Sequence, residues 1–222
     1  MILCLVTDRR RLGAALRLGA GEWADALRAQ VFAAAAAGID VVQLREPDME
    51  AADLRRLAKA LVADTRHTAT RIVVNDRLDV ALAAGAAGVH LKERSFSVQS
   101  ARAITPAGFM IGRSVHEGAA QDFANTADYV VAGTVLPTAS KPAVTCLGWV
   151  GLAALVRAAT GTPVLAIGGI DLPSIPLVAA SGAAGLAAIG AFIPSPGQSL
   201  SEFVQKRVID MRLEFDSAHP VP

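Results

Sequence analysis

Eight short, apolar, β-branched runs recur along this chain of 222 residues, and the stretches between them repeat at helical spacing. The runs are Ile2 to Val6, Val41 to Leu44, Ile72 to Val74, Gly88 to Leu91, Met110 to Val115, Tyr129 to Ala132, Val164 to Ile167 and Gly185 to Ile189. Helical periodicity shows in Trp23, Leu27 and Val31, across Asp53 to Val62, and in a last stretch from Leu200 to about Glu214. Strand alternating with helix requires parallel pairing, because a hairpin needs only a few connecting residues and a parallel crossover needs roughly a dozen or more. Eight such units in a chain of this length predict an α/β fold, a single-domain (β/α)8 TIM barrel over residues 1–222. The alternative is a doubly wound open sheet, which more often has fewer strands and a glycine fingerprint after the first; no GxGxxG follows Val6.

Composition narrows the partners. A hydrophobic fraction of 53% with 18% charged residues supplies a large core, and 21 basic against 20 acidic residues leave a formal charge of +1. That balance lacks the electrostatic footprint of a nucleic-acid binder, so any functional positive charge is local. Cys4 and Cys146 stand alone, without CxxC or Cys/His spacing, which suits reduced thiols and a cytoplasmic protein. Met1 to Val6 runs at once into Asp8 and three arginines, too short for a signal peptide, and Ala29 to Gly38 is far short of a membrane span. No membrane partner is expected, and the apolar content is compatible with a homo-oligomer.

In a barrel of this kind, chemistry sits where strands run into the following loops. After the second strand, Gln43 and Arg45 share parity and need either a polar ligand or a salt-bridge partner across the barrel. After the third come Asn75 and Asp76, which either meet a ligand or cap the next helix. His90 in the fourth strand reads as a site residue or as a satisfied core histidine. The fifth strand ends in Gly112, Ser114 and His116 on one face, and the imidazole is suited to moving a proton near neutral pH unless it is a surface histidine.

After the sixth strand, Thr138 and Lys141 suit a phosphate lid or a solvated loop. After the seventh and eighth, Gly168, Gly169, Gly190 and Ala191 let backbone N–H groups approach an anion, at the strands where this fold recurrently binds phosphate; a tight turn is the other reading of Gly168 and Gly169. The region from Arg9 to Gly21 forms a longer first connection than the fold requires, either a lid or a solvated link.

Several segments then line up in order over nearly the whole chain: Leu5-Val6-Thr7-Asp8, Val42-Gln43-Leu44-Arg45-Glu46, Val74-Asn75-Asp76-Arg77, Gly88-Val89-His90-Leu91, Ile111-Gly112-Arg113-Ser114-Val115-His116, Ala127-Asp128-Tyr129-Val130, Pro137-Thr138 with Lys141, and Ala166-Ile167-Gly168-Gly169-Ile170. Together they resemble the thiamin phosphate synthase/TenI superfamily. Its synthases join a pyrimidine diphosphate to a thiazole phosphate and use Mg²⁺ to hold the leaving pyrophosphate. Their pattern has a lysine two residues after the arginine of QxR, where this chain has Pro47, and a metal-binding aspartate after the HxG turn, whose nearest counterpart is Ser95. Asp76 is then the one aspartate left for the ion, with Glu93 as a substitute only from a shifted loop.

Ser95-Phe96-Ser97 and Gly112-Arg113-Ser114-Val115-His116 resemble the TenI branch, whose activity is thiazole tautomerisation. The resemblance therefore implies an isomerase that aromatises a carboxythiazole ethyl phosphate tautomer without a cofactor. His116 would shuttle the proton, Gly168, Gly169, Gly190 and Ala191 would bind phosphate, and Gln43, Arg45, Asn75, Ser114, Thr138 and Lys141 would bind the rest of a small phosphorylated thiazole. The alternatives are a thiamin phosphate synthase with Mg²⁺ held by Asp76, and a non-catalytic regulatory or ligand-binding protein of the same fold.

Overall fold

The computed structural model describes residues 1–116, 127–138 and 145–218. Eight parallel strands close into a barrel in sequence order: β1 (Ile2–Val6), β2 (Val41–Leu44), β3 (Arg71–Asn75), β4 (Gly88–Leu91), β5 (Met110–Val115), β6 (Tyr129–Ala132), β7 (Val164–Ile167) and β8 (Gly185–Ala188). The (β/α)8 barrel expected from the alternating pattern is the fold observed. β3 is longer than its apolar run and takes in Asn75, while β8 stops before Ile189, which turns into a 3₁₀ segment over Gly190–Phe192.

The chain packs as two compact units. One comprises Leu3–Val89 with Ala188–Asp210, and its core includes Leu3, Leu5, Leu27, Leu44, Leu61 and Phe192, all 0% exposed. Register within it sets Val6 against Gln43 and Gln43 against Val73. The other comprises Met1–Ile2, His90–Ala187 and Met211–Pro222, with Leu91, Ile111, Leu152, Leu165 and Leu186 in its core. There Gly112 lies opposite Tyr129, and a Cβ at position 112 would run into the tyrosine ring, so only glycine fits.

The connection from Arg9 to Gly21 is not a plain solvated link: most of it is a helix, α1 (Arg9–Leu16). Asp8 starts it by accepting the Arg11 backbone N–H at 3.0 Å, and Arg17 ends it in the left-handed region at φ 58°. Leu12 and Gly13 are buried, and Gly13 is pressed against the Trp23 indole that opens α2 (Trp23–Ala36). Helix α3 (Ala51–Thr65) follows the expected periodicity, burying Leu54, Leu57, Ala58 and Leu61 on one stripe. The terminal helix runs over Leu200–Ser217. Among the described residues no helix is long and apolar enough to cross a membrane. Neither cysteine is in a disulfide, and burial pushes the Cys4 thiol up to about 12.

An ionic network joins the ends of β1 and β2 within the first unit. Arg9 donates to both oxygens of Asp48 at 2.7 and 2.8 Å and to Glu46 at 2.9 Å, and Arg10 approaches Asp48 at 2.6 Å. The Arg9 hydrogen bond is the main reason the Asp48 carboxyl is lowered to about 2. A carboxyl lowered on folding contributes stability above its unfolded value and loses it as pH falls through the folded one. Asp48→Asn is therefore expected to cost about 1 kcal/mol at neutral pH, since the pair is partly solvated, with the deficit shrinking below about pH 4. Urea unfolding at pH 7 and at acid pH checks this; an unchanging deficit would count against it.

Candidate active site

Within the first unit, β2 and β3 bring two expected site residues together. Gln43, 4% exposed, donates its side-chain N–H to the Asn75 carbonyl at 2.9 Å. Both amides are thereby oriented at the strand ends. Arg45 follows the end of β2, half-buried, with its backbone N–H held by the Thr7 hydroxyl at 2.9 Å, and among the described residues it makes no ion pair. The Thr7 hydroxyl itself donates to Glu46 at 2.7 Å. Among the described residues the salt-bridge alternative is thus not seen for Arg45, and a polar partner of Gln43 is the Asn75 side chain.

Asp76 sits at φ 61°, in the left-handed region. It is not the cap of the next helix, α4 (Leu78–Ala84), whose N-cap is Arg77 without a side-chain hydrogen bond. The capping reading fails because the chain must turn at Asp76 before the helix begins. Gly190 and Ala191 open the 3₁₀ turn after β8. Against Gly190 lies a residue that sequence reasoning did not single out: a Cβ there would come within 2.8 Å of the Arg11 guanidinium. The signal was present in the arginine run after β1, whose helical spacing carries Arg11 to this turn.

The second unit carries His90 and His116, the two histidines singled out from the sequence. His90 is 1% exposed; its Nε2 lies 2.8 Å from the Ser114 hydroxyl and its Nδ1 3.1 Å from the Tyr129 hydroxyl. The core-histidine reading and the site reading meet here, because a buried, satisfied ring holds a candidate site hydroxyl in place. Tyr129→Phe would leave Nδ1 without that hydroxyl and is expected to cost about 1 kcal/mol in chemical unfolding. A variant as stable as the parent would show that the contact contributes nothing net.

His116 lies just past β5, half-buried, with Nδ1 3.0 Å from one Glu93 oxygen and its backbone N–H donating to the other at 3.2 Å. It is therefore not an isolated surface histidine. Gly168 and Gly169 follow β7 at φ 102° and 68°. A Cβ on Gly168 would lie 2.6 Å from the Thr134 methyl, and one on Gly169 2.6 Å from the Pro137 carbonyl. The loop after β6 thus closes onto the Gly168-Gly169 backbone, fastened by Leu136 N–H to Gly168 O at 3.0 Å. The positive φ angles and the close backbone contacts are those of a tight turn; Thr138 is the residue after Pro137 in the chain. Lys141 lies outside the described residues.

Mg²⁺ takes oxygen ligands, with one or two protein carboxylates completing the substrate's own oxygens. Among the described residues no group of three or more His, Cys, Asp or Glu side chains is placed to hold a metal ion. Asp76 offers one carboxylate. In the loop after β4 the Ser95 hydroxyl accepts the Lys92 N–H at 3.1 Å, and the Glu93 carboxylate is turned onto His116. These donors do not fit the pair of carboxylates that the resemblance implies.

The decisive comparison is with a family model described as thiamine monophosphate synthase, which matches residues 5–192. The chain belongs to the thiamine monophosphate synthase family. Within it, a thiamine-phosphate synthase from Methanoculleus marisnigri is 44% identical over 164 residues, covering 72% of this chain and 77% of that one. Another from Methanoregula boonei is 43% identical over 166 residues, 73% and 76% of the two chains. A solved thiamine phosphate pyrophosphorylase from Pyrococcus furiosus matches with a TM-score of 0.77 at 29% identity, covering 98% of this chain and 96% of that one.

These relatives, named as synthases, overturn the tautomerase expectation and the isomerase class that went with it. The branch reading rested on residues 95–97 and 112–116, two strand-end segments, and loops vary more freely than the barrel that carries them. Similarity over more than 160 residues to chains named as synthases outweighs resemblance in those two. Family membership places the chain among enzymes of thiamine biosynthesis.

Proposed function

We propose that this chain is a thiamine-phosphate synthase, a transferase that joins a hydroxymethylpyrimidine diphosphate to a thiazole phosphate and releases pyrophosphate. The observation that carries the reading is the 43–44% identity to chains of that name. In the reaction a bond forms between the thiazole nitrogen and the pyrimidine methylene, and the methylene–oxygen bond breaks, the electron pair leaving with pyrophosphate. The protein's work is then to hold two anionic substrates in line and to meet the charge that moves onto the leaving group.

In the first unit, the Gln43–Asn75 pair supplies amide groups for a heterocycle edge, and Arg45 supplies a planar guanidinium for phosphate oxygens. Gly190 and Ala191, with Arg11 beside the turn, supply backbone N–H groups and a positive charge for a phosphate. In the second unit, Ser114 supplies a hydroxyl oriented by His90, and Gly168 and Gly169 offer backbone from which side chains are excluded. Thr138 supplies in this reading a further hydroxyl for a phosphate.

Expression in a bacterium lacking its own synthase tests the assignment. Growth without added thiamine is expected from the wild-type gene. Failure to grow, with the folded protein present in the cells, would overturn it.

A further inference from the structure

The loop between β4 and the next helix, α5 (Val98–Ala103), is where the family resemblance asks for a metal-binding aspartate and the chain has Ser95. Its main chain is held from below by one side chain. Arg113, on β5 and 3% exposed, donates through Nη1 to Phe96 O at 2.7 Å and through Nη2 to Glu93 O at 2.6 Å and Ser95 O at 3.2 Å. A planar guanidinium with donors in a fixed fork can hold several carbonyls at once, which an ammonium on a flexible stem cannot do in the same way. Three of the loop's carbonyls are thereby directed at a buried positive charge.

The side-chain oxygens of the loop are engaged as well. Ser95 Oγ accepts the Lys92 N–H, and the two oxygens of Glu93, the one acidic residue from His90 to Ser97, accept from His116 N–H at 3.2 Å and face its Nδ1 at 3.0 Å. A divalent cation recruiting these oxygens would have to displace His116 and sit against the Arg113 charge. A carboxylate on Nδ1 does something else: it selects the tautomer with the proton on that nitrogen and leaves Nε2 as the acceptor in the neutral ring.

We infer that in this chain the loop after β4 is an arginine-clamped platform that positions His116, with Glu93 as the residue that sets its tautomer, and is not a ligand to a divalent cation. Arg113 fixes the main chain that presents Glu93, so both act as positioning residues through His116. The inference rests on the synthase reading only for the reaction that this imidazole serves; the arrangement itself is independent of it.

Two measurements on the whole protein, neither requiring turnover, test it. Nitrogen NMR of labelled wild type above the histidine titration is expected to show His116 with its proton on Nδ1. Glu93→Ala is expected to move it to Nε2, and Glu93→Gln, whose amide oxygen still accepts, to restore the Nδ1 form in part. Mn²⁺ binding followed by electron paramagnetic resonance is expected to be the same in wild type and Glu93→Ala, and about tenfold or more tighter in Ser95→Asp. An unchanged tautomer in Glu93→Ala would overturn the positioning role. About tenfold weaker Mn²⁺ binding in that variant would make Glu93 a metal ligand and overturn the other half. Should Ser95→Asp fail to fold, the Glu93→Ala comparison still decides. Absence of thiamine phosphate formation would sink the proposed function and leave these outcomes untouched.

Discussion

Gly169→Ala is expected to lower kcat/KM for the thiazole phosphate by about 100-fold, and to destabilise the protein by about 2 kcal/mol or more. Two independent obstacles give the size of the effect. At φ 68° an L side chain is strained whatever the space around it, and the new Cβ would also meet Pro137 O at 2.6 Å and Leu136 O at 2.7 Å. Backbone carbonyls cannot rotate away as a side chain can, so either the turn after β7 or the loop after β6 must move. If this turn binds phosphate, both binding and alignment fail together, and KM should rise as kcat falls. Steady-state kinetics beside thermal unfolding would show it; a destabilised variant with unchanged KM would separate the turn from the phosphate.

Glu46→Ala carries the second large expected effect, a loss of about 3 kcal/mol, because it removes one member of a buried pair and strands the others. Glu46 is 5% exposed and accepts from the Thr7 hydroxyl at 2.7 Å, from the Arg9 backbone at 3.1 Å and from its guanidinium at 2.9 Å. Thr7 in turn holds the Arg45 backbone, so the damage reaches the end of β2. Burial is the main influence on this carboxyl and pushes its pKa up, with the hydrogen bonds opposing. Its contribution to stability therefore falls as pH rises through the carboxylate range, opposite in sign to that of Asp48. Glu46→Gln, which keeps a carbonyl oxygen, should lose less than the alanine variant in urea unfolding. Equal losses would indicate that the charge rather than the hydrogen bonding holds the segment.

The barrel was legible because its strands advertise themselves. Runs such as Tyr129–Ala132 are buried at every position, so they read as continuous apolar stretches bounded by polar turns. Helix α1 was not legible, since three arginines and a glycine mask its buried stripe, and its cap, Asp8, is a single residue. The candidate site was legible as strand-end positions but not as partnerships. His90 finds Tyr129 39 residues on, and His116 finds Glu93 23 residues back, separations that no local pattern reveals. The Gln43–Asn75 pair is a consequence of the β2–β3 register, with Gln43 opposite Val73, and only parity hinted at it.

The functional misreading has a physical origin too. The chain carries Ser95 where the synthase pattern has a carboxylate and Pro47 where it has a lysine, and residues 95–97 and 112–116 resemble the TenI branch, so a few strand-end positions pointed away from the reaction that the rest of the chain supports. A barrel binds its substrates through eight such loops, so one altered loop changes how charge is met at one point without redefining the rest. The Arg113–Glu93–His116 arrangement shows what this chain builds there instead.

The central claim is tested most directly by supplying the purified wild-type protein with hydroxymethylpyrimidine diphosphate and thiazole phosphate, with Mg²⁺ in the buffer, and following thiamine phosphate by chromatography. Thiamine phosphate appearing together with an equal amount of pyrophosphate, and only when both substrates are present, is the expected result. No coupled product from folded protein at saturating concentrations of both would contradict it.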